Sequence, residues 1–408
     1  MRPLLLAVAF LDELASGVSP VASPELRDGF GLTDLGAAGA TIVALSALSL
    51  VEPALLLAAE RQPRRWFLCG GLVGIAVSYA LAAWAPSFGV LIAALALYGP
   101  SSGCAVALAN ASLADEAAGE RERAMARWAL FANAGDLATL GLVSLLAMFG
   151  LGTRAAFLVC GVWALLHALA LWRALGARGP ASGVDVVGGD EPGAPGVWRG
   201  AREALRNRSL LAWAGAALLC TLLDEILVAF GALYMTDRLH ADVHRRGVVL
   251  AAWMIGGVGG LALLERYVSR LDPLRVLAAT CAVGGAAYAS WLQASSIEMA
   301  AACAFIAGAC CATHHPIATA QAYAALPGRS ATVGAVQALF TPLELALPLV
   351  LGVVATRAGI GVAMALLALQ PLGILLVTAW ALRRRARQSV GGTPKRRHGN
   401  RGSIARKA

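Results

Sequence analysis

Two short stretches decide the fold: Phe10-Leu11-Asp12-Glu13-Leu14 near the start, and Leu222-Leu223-Asp224-Glu225-Ile226 far along the chain. Each sets two acids inside an apolar run long enough to cross a bilayer, whose ~30 Å core needs about 20 apolar residues per helix. Other matches fall around them. Ala129-Leu130-Phe131 and Ala338-Leu339-Phe340 follow the two acidic stretches at nearly the same offset, and Glu52 is answered by Glu265. Any one match could arise by chance in an Ala/Leu-rich chain. An acidic pair at the equivalent helix of each half is harder to obtain that way, and it predicts two repeated units.

Composition points the same way. Of 408 residues 59% are hydrophobic and 14% charged, with mean hydropathy +0.70. Soluble domains carry about 25% charged residues, so this chain has too little polar surface to face water. Apolar stretches between polar punctuation predict twelve spans, near 3–23, 35–58, 67–84, 89–113, 124–148, 154–176, 208–236, 246–265, 274–294, 297–325, 331–355 and 359–381. Arg2 before Leu4–Phe10 resembles the start of a signal peptide. Asp12 and Glu13 interrupt that run and no small-residue cleavage site follows, so it is read as a retained first span. The domains expected are a six-helix bundle (1–176), a polar linker (177–207) punctuated by Gly179-Pro180, Gly188-Gly189 and Pro192-Gly193, a second six-helix bundle (208–381), and a basic disordered tail (382–408). Six spans per unit is an even number, so the repeats run parallel, related by an axis along the membrane normal.

Charge sets the orientation. With both termini inside, only Arg27, Arg154, Arg238, Arg245, Arg246 and Arg357 of the 33 Lys and Arg residues fall outside. The net charge of +9 is mostly this asymmetry. The tail has no acid and no interleaved aromatics, so it reads as an anchor to anionic headgroups and not as a nucleic-acid arm. The eight cysteines all lie in predicted spans and read as packing residues. The Arg-rich, Ala-rich composition suggests a GC-rich bacterial genome and an inner membrane.

At the motif level the chain resembles the major facilitator superfamily. Glu60-Arg61-Gln62-Pro63-Arg64-Arg65 looks like the second half of that family's loop signature, D-R-x-G-R-R, with Glu for Asp, Pro for Gly, and Leu56 where the motif opens on glycine. Ala111-Ser112-Leu113-Ala114-Asp115 also looks like the family, although the arginine usual early in that span is missing. The resemblance implies a twelve-helix transporter, acting as a monomer, in which Glu60, Arg61, Arg64 and Arg65 form a charged latch stabilising one state. The alternative is that these are ordinary loop charges.

Seven acids sit within predicted spans: Asp12, Glu13, Glu52, Asp136, Asp224, Glu225 and Glu344, with no Lys or Arg clearly inside a span to pair with them. A charge at mid-bilayer costs at least ~2.5 kcal/mol, so such groups usually face a cavity and act. Mutual repulsion has two outlets, a bound proton or a bound cation, and adjacent acids titrate as sets. A site that holds either, and not comfortably both, is the minimum machinery of an antiporter. Neighbouring helical residues point about 100° apart, so one acid of each pair is expected to line the cavity and the other to meet a helix. Alternatively, all seven are packing acids bonded between helices.

In the tenth span, Cys310 with His314 and Cys311 with His315 stand at i,i+4. Thiolate and imidazole suit zinc or copper, but the spacing lacks a second cluster, so a polar cavity or proton-relay role for His314 or His315 is the stronger expectation. His167 reads as packing. Gly256-Gly257-Val258-Gly259-Gly260 has no following Lys-Ser/Thr and reads as helix packing. No Walker motif, nucleophile triad or cofactor fingerprint appears, so neither an enzyme nor a cofactor is expected. The expected function is proton-coupled export of a cationic or amphipathic small molecule. The resemblance is to the drug-efflux branch, but that branch's Gly-Pro step in the fifth helix is replaced by Ala134-Gly135-Asp136-Leu137. Proton-linked nutrient uptake, divalent-metal export and a non-transporting receptor are the competing readings.

Overall fold

The computed structural model describes residues 1–21, 30, 49–60, 62–176 and 197–391. Arg61, most of the linker, the first part of the second span and the tail from 392 lie outside them. The described residues are helical throughout, with no strand. The first half runs α1 (Arg2–Ser16), α2 (Glu52–Ala58), α3 (Arg64–Ala83), α4 (Phe88–Glu116), α5 (Arg121–Met148) and α6 (Thr153–Gly176). A linker helix α7 (Val197–Ala204) follows. The seventh span is α8 (Arg208–Thr221), a π-helical turn (Leu222–Ile226) and α9 (Leu227–Leu239). The eighth is α10 (Val243–Tyr267) and the ninth α11 (Pro273–Leu292). The tenth is α12 (Ile297–Cys311) with α13 (His314–Ala325), the eleventh α14 (Ser330–Ala338) with α15 (Thr341–Ala358), and the twelfth α16 (Ile360–Leu366) with α17 (Leu369–Gly391).

Nine helices among the described residues are long and apolar enough to cross a bilayer. The first, second and ninth spans complete the twelve: α1 is short, the second span is described only in its later part, and α11 carries Arg275 near its start. Helix starts fall where short polar side chains can take up the free amides of a first turn. Asn207 accepts from Ser209 and Leu210, Asp242 from Arg245, Asp272 from Leu274, and Ser296 from Met299. Gly359, at φ 92°, makes the left-handed turn between α15 and α16.

Five spans read as continuous are broken or re-wound among the described residues. The first breaks at Gly17 before a short helix at Val18–Val21, the seventh is re-wound by its π turn, and the tenth, eleventh and twelfth break at Ala312-Thr313, Leu339-Phe340 and Leu367-Ala368. Two polar segments hold more helix than composition suggests. Residues 197–204 of the linker form α7, and α17 continues to Gly391, ten residues into the stretch read as a disordered tail. There Arg385 reaches Asp272 at the head of α11, 3.3 Å away.

Small residues set the closest crossings. A side chain at Gly256 would meet the Phe305 carbonyl, one at Gly260 the Ala309 carbonyl, and one at Gly308 the Trp253 carbonyl, so α10 and α12 touch through their backbones. One apolar core runs through the first half and into the ends of the second-half helices nearest the termini. A separate core around Trp253, Tyr288 and Trp291 fills the rest of the second half. The two halves are thus continuous at the face that carries the termini.

Candidate functional site

Hydrogen bonds and ion pairs between the halves cluster at that same face. Glu60 Oε1 accepts the Thr332 amide at 2.6 Å and the Thr332 hydroxyl at 3.0 Å, at the first turn of α14. A carboxylate placed on a helix N-terminus satisfies free amides and meets the positive end of the dipole. Beside it, Asp115 Oδ2 takes Arg64 Nη1 at 2.8 Å and the Ser330 hydroxyl at 2.5 Å. The second half answers with Glu265 Oε1, which takes Arg123 Nε at 3.1 Å and Arg127 Nε at 2.6 Å, while Gln321 donates to Glu122 at 2.9 Å. Of the residues expected to form a latch, Glu60 thus meets α14 of the second half, and Arg64 holds Asp115, which in turn takes Ser330 of α14. Arg65 turns away to lie over the Trp172 ring of α6, 5.4 Å from its centroid, and Arg61 lies outside the described residues. Glu265, matched in sequence to Glu52, is instead the counterpart of Glu60.

Beyond the latch lie the acids of the spans. Asp12 faces α4, where Tyr98 donates to its Oδ1 at 2.7 Å and Ser102 at 2.5 Å. Tyr98 stacks on Tyr79, whose hydroxyl donates to the Ala15 carbonyl at 2.5 Å, so the end of α1 is tied down at two levels. Glu13 turns the other way, toward α5. Gly135 of α5 fits against Phe10 and Glu13 with no room for a side chain, which carries its neighbour Asp136 up to α1. Thr139 donates to the Leu14 carbonyl at 3.0 Å one turn further on. The two acids of the first pair thus point to different helices, Asp12 to α4 and Glu13 to α5.

Asp224 and Glu225 sit on the π turn of the seventh span, which widens the helix and lets both reach solvent. Glu52 and Glu344 share a different device. Each stands in the first turn of a helix that restarts beside a proline, Pro53 in α2 and Pro342 in α15. Each proline sits where a helix begins, and the dipole of each new helix favours the acid it carries. Glu52 lies against Gly103 of α4, where a larger residue would displace it.

These acids are neighbours in space. Asp12 and Glu13 lie within Coulombic reach of Asp136, Asp136 of Glu225, Glu225 of Glu344, Glu344 of Glu52, and Glu52 of Asp12 again, with Asp224 joined to Glu225. The circuit crosses from one half to the other twice. Among the described residues no Lys or Arg forms an ion pair with any of the seven.

The tenth span breaks at Ala312-Thr313, between the two cysteines and the two histidines, and His314 Nε2 lies 3.5 Å from the Cys281 sulfur of α11. His314 is fully buried, whereas His315 faces accessible space with Thr319 at 3.5 Å. Among the described residues no three His, Cys, Asp or Glu side chains are grouped to hold a metal ion. His167 donates its Nε2–H to the Leu4 carbonyl of α1, 2.9 Å away.

Tyr98, Ser102, Ser330, Thr332, Arg123, Arg127 and Gln370 were not singled out from the sequence. Tyr98 and Ser102 are spaced i,i+4 in an otherwise apolar span, a readable signal. Ser330 and Thr332 open a helix, where their type is common but carries no pointer to a carboxylate from another half.

Comparison with known proteins agrees with this architecture. No curated protein sequence is significantly similar to the chain. The solved structure of FucP in the outward conformation superposes with TM-score 0.74 at 17% identity, over 93% of this chain and 98% of that one. A bacterial homologue of the iron transporter ferroportin in its outward-facing state gives TM-score 0.74 at 13% identity, over 94% and 99%. The human organic anion transporter MFSD10 (TETRAN) gives 0.66 at 18%, over 92% and 99%. The family model described as Major Facilitator Superfamily matches residues 5–297. With twelve spans in two parallel repeats latched at one face, the chain belongs to the major facilitator superfamily and is a secondary transporter of small molecules that works by alternating access.

Proposed function

We propose that this transporter exchanges protons for a cationic or amphipathic small molecule, moving the molecule out of the cell. The observation that carries the reading is the circuit of seven carboxylates shared between the halves, with no Lys or Arg paired to any of them among the described residues. Protons and a positively charged substrate compete for such a circuit, and this competition is what couples their movements. Because the circuit crosses between halves, its charge state bears on how the halves sit. The two bundles, 1–176 and 208–381, would rock about it as units within a single monomeric chain.

The distribution of Lys and Arg supports an inner-membrane protein with both termini in the cytoplasm. In that orientation the latches of Glu60, Arg64, Asp115 and Glu265 close the cytoplasmic side. The exposed Asp136, Asp224 and Glu225 would then stand on the route by which protons enter from outside and substrate leaves.

The test is proton movement in energised inside-out vesicles challenged with organic cations, divalent metals and neutral sugars. Wild type is compared with Asp12→Asn/Glu13→Gln and with Asp224→Asn/Glu225→Gln. Proton release driven by an organic cation, and lost in both variants, is the expected result. Release by zinc alone would move the substrate class to metals, and absence of coupled flux with every ligand would refute proton exchange.

A further inference from the structure

Below the acidic circuit runs a buried polar chain that the transport reading does not use. The Leu223 amide, inside the π turn, donates to Gln370 Oε1 of the twelfth span at 2.8 Å. Gln370 Nε2 meets His314 Nδ1 at 3.4 Å, and His314 Nε2 meets the Cys281 sulfur at 3.5 Å. Gln370 and His314 have no exposed surface. The chain thus links the seventh, twelfth, tenth and ninth spans through an apolar interior.

Its polarity is fixed from one end. The amide of Leu223 can only donate, so Gln370 must present its carbonyl oxygen to it and its NH2 to His314. His314 Nδ1 therefore accepts and the ring proton sits on Nε2, directed at Cys281, with the Thr280 backbone carbonyl also against the ring. A doubly protonated ring would set N–H against NH2. The neutral tautomer is the one the chain admits, which makes His314 a structural member of this interior and not a metal ligand.

A π turn holds one residue more than an α turn, so closing it to α geometry rotates one flank of the helix against the other by about 100°. Such turns are costly unless the displaced backbone groups find partners outside the helix. Gln370 is that partner for Leu223. The residues presented at this turn are Asp224 and Glu225, both solvent-reachable, flanked by buried Leu223 and Ile226.

The geometry points to Gln370 as a positioning residue: by accepting the Leu223 amide, and oriented by His314, it holds the seventh span in the register that presents Asp224 and Glu225 together to the cleft. Its importance for transport rests on the proposed role of those acids. The register itself does not, and it can be measured without a substrate.

Cysteine labelling from the face opposite the termini reads the register, because thiol reactivity follows exposure. Asp224→Cys and Glu225→Cys are made one at a time, with the native cysteines except buried Cys281 changed to alanine. Each is exposed to a membrane-impermeant thiosulfonate. Both positions are expected to react, while Ile226→Cys does not. Adding Gln370→Met, which keeps length and volume but removes both hydrogen bonds, should lower the rate at one of the two positions by about tenfold or more. Gln370→Glu keeps an acceptor for Leu223 and should leave both rates within about twofold. If Gln370→Met does not give monodisperse protein, Gln370→Asn, one methylene too short to span the gap, is judged by the same criterion. Unchanged rates in the Met or Asn background would overturn the assignment, as would a Glu variant as impaired as Met. A labelling change without any proton-coupled flux in wild type would leave the positioning role standing and remove only the transport reading.

Discussion

The first and seventh spans carry the same two acids in the same order, yet the molecule holds them by different means. In α1 the helix is regular, and the side chain of Asp12 is gripped by two hydroxyls from α4. In the seventh span the backbone itself is altered, and what is gripped is an amide one residue before the pair. A carboxylate held by two donors has one well-defined place. A carboxylate presented by a widened turn has its place only while that turn persists. The first half therefore fixes its carboxylate through side chains, and the second half presents its pair through a turn of the backbone. The repeats retained the pair and diverged in what surrounds it.

The largest effect that would break this comparison lies with the acids themselves. Glu13→Gln combined with Glu225→Gln removes one member from each half that faces the shared circuit, and should reduce substrate-driven proton release in vesicles to the level of empty ones. Retention of coupled release would mean that neither half's pair takes part. Next is the cost of stripping the grip on Asp12. Tyr98→Phe with Ser102→Ala leaves its carboxylate between α1 and α4 without side-chain donors, and should lower stability by about 2–4 kcal/mol, seen as a reduced Tm in detergent. Asp224→Asn, which loses no such grip, should leave Tm unchanged within about 2 °C.

Smaller again is the effect of crowding α1 against α5. Gly135→Val forces a branched side chain onto the Phe10 carbonyl and the Glu13 side chain, with an expected loss of about 1–3 kcal/mol in thermal unfolding. The smallest difference separates the two latches. Glu60→Ala removes a carboxylate from the head of α14 and should shift the balance of states by about 1 kcal/mol at any ionic strength. Arg123→Gln with Arg127→Gln weakens pairs that are partly exposed, worth about 0.2–1 kcal/mol each, and its effect should shrink in 0.5 M salt, roughly as screening requires. Labelling of Ala107→Cys, on α4 beside Gly334 of α14, from the face bearing the termini would follow both.

Much of the fold is legible in the sequence because a bilayer asks for one simple thing, a run of apolar residues of sufficient length. The linker between Gly176 and Arg208 and the acids within the spans are read from the same contrast. What escapes is local winding. Nothing in Leu222-Leu223-Asp224-Glu225-Ile226 distinguishes a π turn from an α turn, since the cause is Gln370 on another span. The break at Ala312-Thr313 is similarly silent. Glu265 looked like Glu52 because offset along a helix was the available measure. Its partners Arg123 and Arg127 reside in the opposite half and become visible only when the halves are docked.

One feature of the twelfth span opens a practical route to the motion itself. Helix α17 runs unbroken from Leu369 to Gly391 and is braced near its end by Arg385 on Asp272. A helical reporter spliced in frame after Gly391 would inherit the orientation of the second bundle without a flexible joint. Its angle relative to the membrane, followed by polarised fluorescence in oriented bilayers, would register rocking of that bundle in real time, with no label placed inside the transport path.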